Sequence, residues 1–61
     1  MKVQYIGESK AVQTVDGKDA RIEKGSEYEC MEKEYHSATF VRVHLASGDK
    51  VKVKRGELKK V

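Results

Sequence analysis

The chain reads as an all-β domain, a small barrel of five to six short antiparallel strands. Three observations point there. The segment Val41-Arg42-Val43-His44-Leu45-Ala46-Ser47-Gly48-Asp49-Lys50-Val51-Lys52-Val53-Lys54 alternates apolar and polar residues on both sides of a Ser-Gly-Asp turn, the period-2 pattern of a half-buried hairpin. Turn signals recur at close intervals at Asp16-Gly17, Lys24-Gly25-Ser26 and Ser47-Gly48-Asp49. The chain is also too short, at 61 residues, to leave several strands in an open sheet without exposing long edges that template aggregation.

Taken in order, Met1 to Ile6 is a first strand with Val3 and Tyr5 as core candidates, ended by Gly7-Glu8-Ser9. Ala11 to Val15 is a short strand or the arm of a long loop. Asp16-Gly17 turns it, because glycine accepts a positive φ without a steric penalty. Asp19 to Glu23 is a short extended piece with Ala20 and Ile22 on one face. Glu27 to Tyr35 is expected to be a strand with Tyr28 and Cys30 inward and Glu29, Met31 and Lys33 outward. A helix is the rival there, since Glu, Met and Lys are good helix formers, but no N-cap and no i, i+3, i+4 apolar stripe accompany them. His36 to Thr39 is expected to turn the chain into the strand Phe40 to Leu45.

The loop Ala46-Ser47-Gly48 fits a three-residue hairpin with Gly48 left-handed. That register sets Val43 against Val51 on the inner face. It sets His44 against Lys50, Arg42 against Lys52 and Phe40 against Lys54 on the outer one. Arg55-Gly56-Glu57 is expected to make a single helical turn, after which Leu58 and Val61 close the core.

A single domain spanning residues 1–61 is expected, and one of this size buries only about 60% of the surface its unfolded chain exposes. Cys30 is alone, which excludes an internal disulfide and suggests a reducing, cytoplasmic setting. No apolar run follows Lys2 that would make a signal peptide or a membrane span. The net charge of +3 is unevenly placed: residues 42–61 carry seven Lys or Arg against two acids, residues 1–41 six against eight. Either the acidic stretch Glu23 to Glu34 neutralises the basic one, or the two face solvent on opposite sides.

The pieces Lys24-Gly25-Ser26-Glu27-Tyr28-Glu29-Cys30, Phe40-Val41-Arg42-Val43, Ser47-Gly48-Asp49 and Glu57-Leu58-Lys59-Lys60-Val61 together resemble small SH3-like barrel proteins of bacteriophages and prophages. Those show a Lys-Gly-x-x-Tyr-x-hydrophobic strand start, a Gly-centred hairpin, and an aromatic or aliphatic residue three positions before a final Val. Gly25, Tyr28, Gly48, Leu58 and Val61 occupy those places, with Leu58 where an aromatic is usual and Cys30 where an aliphatic is usual. The resemblance covers residues 24–61. It implies an SH3-like barrel and a phage or bacterial origin, hence the cytoplasm of a bacterial cell. The proline-peptide groove of signalling SH3 domains is not carried over, because the chain has no Trp.

Catalysis has little to stand on. His36 and His44 fall in different elements, Cys30 is expected inward, and no nucleophile, base and orienting group are brought together by spacing. Ser9, Ser26, Ser37 and Ser47 all fall at expected turns, where local hydrogen bonding explains them. One Cys and two His with no paired spacing make no zinc site, and no glycine cluster opens a helix as a phosphate loop. No enzyme activity, cofactor, metal, small-molecule substrate or membrane is therefore expected.

The basic hairpin is the feature with a physical edge. Like charges directly opposite on paired strands are destabilising, so Arg42 facing Lys52 is a local conflict of the kind that marks binding surfaces. A row of Arg42, His44, Lys50, Lys52 and Lys54 would neutralise phosphates, and Phe40 would stack on a base, with Tyr5 or Tyr35 joining if exposed. The bland counterpart is that outward lysines protect edges and keep a small domain soluble, with Glu29 neutralising Arg42 or His44. The leading expectation is a non-catalytic binding module that takes a polyanion, nucleic acid, on the 40–54 hairpin. The alternative is a phage-type protein-interaction module, an inhibitor, adaptor or virion part, that meets a host or phage protein through Met31, Tyr35 and Phe40.

Overall fold

The computed structural model describes residues 1–61. In chain order the elements are β1 (Lys2–Tyr5), β2 (Lys10–Gln13), β3 (Asp19–Ile22), β4 (Glu27–Cys30), α1 (Glu32–Ser37), β5 (Phe40–His44), β6 (Lys50–Lys54), a 3₁₀ turn (Arg55–Glu57) and β7 (Leu58–Lys60). The fold is mostly antiparallel β. Five strands form one sheet in the order β6-β5-β4-β1-β7, and β2 and β3 pair as a separate two-stranded sheet. The strands do not close into a barrel. The two sheets share the core through Ile22, and just past β2 the Val15 N–H donates to the Lys50 carbonyl of β6 at 2.9 Å.

The β5–β6 hairpin sets the scale of the core. Its register runs Phe40↔Lys54, Arg42↔Lys52 and His44↔Lys50 on one face, and Val41↔Val53 and Val43↔Val51 on the other. Gly48 supplies the positive φ, at 92°, that lets three residues reverse the chain. The four valines are buried, and Leu45 at the end of the hairpin is half-buried. Around them gather Val3 and Tyr5 of β1, Ile22 of β3, Cys30 of β4 and Leu58 of β7. Each such aliphatic side chain contributes about 1.5–3 kcal/mol by leaving water. Tyr5 is fully buried, and its hydroxyl donates to the Glu8 carbonyl at 2.7 Å, so the phenol enters the core without an unpaired polar atom.

The 3₁₀ turn redirects the chain from β6 to β1. Arg55 N–H donates to the Thr39 carbonyl at 3.0 Å, and β7 then pairs with β1, Leu58 lying opposite Tyr5. Val61 does not help to close the core: it is 54% exposed, and only its backbone N–H holds to the sheet, donating to the Lys2 carbonyl at 3.3 Å.

The segment after β4 departs from the expected strand. β4 ends at Cys30, and Glu32–Ser37 is a short helix that takes in both His36 and Ser37, leaving only Ala38 and Thr39 as the link to β5. Met31 at its N-cap makes no side-chain cap, and no residue of the helix is fully buried. A helix of six residues is not stable alone. Tertiary contacts hold this one. Tyr35 packs half-buried against the core, and Glu34 is bound to β5. Glu32 and Glu34 in the first turn also suit the positive end of the helix dipole. An apolar stripe needs two turns to become visible, and this helix has fewer.

Candidate nucleic-acid interface

All six residues expected to form the site stand on the outer face of the β5–β6 hairpin. Residues two apart on a strand lie about 7 Å apart along it, and partners across a non-hydrogen-bonded pair about 4.5 Å apart. Phe40, Arg42, Lys52 and Lys54 are exposed, while His44 and Lys50 are half-buried toward the turn. Tyr5 and Tyr35 do not join this face as exposed aromatics, the first being buried and the second half-buried. Phe40, 51% exposed, is the aromatic presented beside the cations.

The charges are not equivalent. β4 ends one residue too early to pair with Arg42, and the Glu34 carboxylate takes its place. It accepts the Arg42 backbone N–H at 3.0 Å, the Arg42 Nε–H at 2.9 Å, and a further bond from Nη2. One carboxylate thus caps a vacated ladder position through Oε1 and neutralises the guanidinium through Oε2, which accepts both of its N–H groups. The side-chain and backbone hydrogen bonds from Arg42 hold the Glu34 carboxyl below the usual carboxylate range, with Lys50 adding a smaller attraction. The same pair pushes the Arg42 guanidinium up. Glu34, not Glu29, is therefore the partner of Arg42. Glu29 sits opposite His44 and lies 3.5 Å from the Met1 ammonium.

On β6 no such pairing occurs. Lys50, Lys52 and Lys54 form no ion pair with any carboxylate, although ion pairs engage Lys2 with Glu27, Lys10 with Glu57 and Lys18 with Asp49. The outer surface is therefore graded: free cations on β6, a neutralised Arg42 on β5, carboxylates on β4. The acidic and basic stretches meet on this one face, at Glu34 and Arg42, and do not lie on opposite sides.

Outside the hairpin, no three His, Cys, Asp or Glu side chains converge as a metal set. Cys30 is 5% exposed, and burial pushes its thiol up. Ser9 accepts from the Lys24 N–H, Ser37 donates to the Lys33 carbonyl within the helix, and Ser47 donates to Asp49. His36 lies 3.9 Å from Glu32 on exposed helix surface. No helix is long and apolar enough to cross a membrane.

Glu34 is the residue that sequence reasoning missed. The signal for it was the acid-rich run facing a base-rich run, which showed that neutralisation was possible but not which pair would form. Comparison with known proteins returns no matching family model, curated protein or solved structure.

Proposed function

We propose that the domain is a non-catalytic binding module that takes nucleic acid on the outer face of the β5–β6 hairpin. The observation that carries this reading is the row Lys50, Lys52 and Lys54, free of carboxylate partners, beside an exposed Phe40 in register with Lys54. Three cations about 7 Å apart match a phosphate backbone, and a phenyl ring at the end of the row gives a base a surface to stack on. Arg42 contributes little while Glu34 holds it. His44 flanks the row and faces Glu29, so it serves as an edge and not as a centre.

We further propose an SH3-like arrangement of the strands, the fold that goes with this reading. The 3₁₀ turn between β6 and β7 and the return of β7 to pair with β1 speak for it, and the two sheets are left unjoined between β2 and β6. The second reading, a phage-type protein-interaction module, draws on two large apolar side chains left in solvent, Met31 at 56% and Phe40 at 51% exposure.

Salt separates the two. Three neutralised phosphates give a slope of log affinity against log salt of about −2.1 to −2.7, a loss of roughly twenty- to fortyfold between 50 and 200 mM. Binding through Met31 and Phe40 should change far less. Lys52→Glu with Lys54→Glu leaves the core untouched and is expected to abolish oligonucleotide binding. Undiminished affinity in that folded variant would refute the proposal. Arg42→Glu is a poor probe, since it would set two carboxylates against each other at Glu34.

A further inference from the structure

The hairpin has an edge as well as a face, and the edge is unpaired. Leu45 N–H donates to the Asp49 carbonyl, so Asp49 turns its backbone groups toward β5. By the alternation of an antiparallel ladder, Val51 and Val53 do the same, while Lys50, Lys52 and Lys54 turn theirs away. The Lys50 carbonyl accepts from Val15 N–H. Beyond it the seam opens, and no strand pairs with Lys52 or Lys54 on that side. β2 runs along the far side of the opening with its own second edge unpaired. Two clefts lie between them. One, ≈ 110 Å³, has an apolar lining of Val12, Ile22 and Val53 and also takes in Lys10, Lys54 and Glu57, the Glu57 carboxylate lying 3.8 Å from Lys10 Nζ. The other, ≈ 280 Å³, is lined by Gln13, Thr14, Val15 and Lys52.

We infer that the β6 edge is a docking site for an extended acidic peptide, which adds as a strand to the five-stranded sheet. The edge presents both N–H donors and C=O acceptors, and a peptide strand satisfies both, whereas a phosphate backbone only accepts. An added strand places alternate side chains on the outer face directly across from Lys52 and Lys54, where carboxylates are favoured. Its intervening side chains turn inward, toward the cleft lined by Val12 and Val53, where aliphatic groups fit. A second copy of this chain is the wrong occupant: antiparallel pairing of two β6 edges would set lysine rows against each other. That repulsion is how lysine-bearing edges resist self-association, and it is reversed for an acidic strand.

This site uses the backbone of β6, and it stands whether or not the outer face takes nucleic acid. The test separates the two. The ¹⁵N-labelled protein is titrated with a capped peptide alternating Glu and Val, with its Lys-Val counterpart, and with oligothymidine. The Glu-Val peptide is expected to slow hydrogen exchange at the Lys52 and Lys54 amides by about tenfold or more, as new ladder bonds form. Lys52→Pro removes an outward N–H that β5 does not use, and proline is tolerated at such edge positions. It is expected to abolish peptide binding, whereas Lys52→Ala, which removes only the charge, weakens it about two- to fivefold. Oligothymidine should lose affinity equally in both variants. Equal peptide affinity in the two variants, equal binding of the Lys-Val peptide, or no added protection at millimolar peptide would each overturn the inference. Should Lys52→Pro fail to fold, amide protection in the unsubstituted protein decides.

Discussion

The two strands of one hairpin carry charge of the same sign to very different ends. On β5, Arg42 is held by three hydrogen bonds to Glu34, and His44 faces Glu29. On β6, Lys50, Lys52 and Lys54 form no ion pair, because no strand pairs with β6 on its far side and the one backbone hydrogen bond there, from Val15 N–H to the Lys50 carbonyl, brings no carboxylate. What differs is the neighbourhood and not the residues. An interior strand has a partner on each side to neutralise it, and an edge strand has one. The conflict expected between Arg42 and Lys52 is relieved from the β5 side, which leaves the β6 cations free to act on something else.

The largest effect would come from breaking the hairpin that makes the comparison possible. Val51→Asp places a carboxylate at a position 1% exposed, packed across from Val43. Its cost is expected to exceed the about 3–5 kcal/mol that a core of this size supplies. Thermal melting followed by circular dichroism should show no cooperative transition, and a melt near the unsubstituted midpoint would mean that the inner face is wrongly assigned.

The next effect sharpens the contrast between strands. Lys52→Ala with Lys54→Ala should flatten the salt slope of oligonucleotide binding by about 1.4–1.8, at 0.7–0.9 per lost contact. Arg42→Ala should leave the slope nearly unchanged. Equal losses from the two strands would show that the Glu34 pair does not hold Arg42 back.

Glu34→Gln asks the same question from the other side. It removes the anion that occupies Arg42, so oligonucleotide affinity should rise, and the slope should steepen by up to about 0.7–0.9. The thermal midpoint should fall, since α1 loses its charged tie to β5. A fall in affinity would indicate that Glu34 orders the face instead of masking it.

The smallest effect is on pH dependence. The Glu34 carboxyl is depressed in the folded state by its hydrogen bonds from Arg42. Its contribution to stability is therefore complete above the ordinary carboxylate pKa and is lost as pH falls through the depressed value. Denaturation midpoints measured between pH 7 and pH 3 should decline less in Glu34→Gln than in the unsubstituted protein.

The hairpin was legible because its information is local. Period-2 alternation marks the faces, and Gly48 fixes the loop length, so every cross-strand partner from Phe40↔Lys54 to His44↔Lys50 follows. The helix after Cys30 was not legible. Its six residues bring one half-buried side chain, Tyr35, to the core, too little to show a 3.6-residue period. The error carried over to the site. A residue assigned to a strand is expected to reach the neighbouring strand, and Glu34 reaches Arg42 only because the chain has already turned into a helix. The open seam was hidden for a different reason: strand count suggests closure, but whether β2 hydrogen-bonds to β6 depends on how the Thr14 to Lys18 loop sits.

The most direct test of the central claim is an NMR titration of the labelled protein with short single- and double-stranded DNA at low and moderate salt. The account predicts shifts at Phe40 and along Lys50 to Lys54 that fade as salt rises, with the Arg42 guanidinium signal remaining in its Glu34-bound position. An unchanged spectrum at low salt, or shifts centred on β1 and β4 instead, would contradict it.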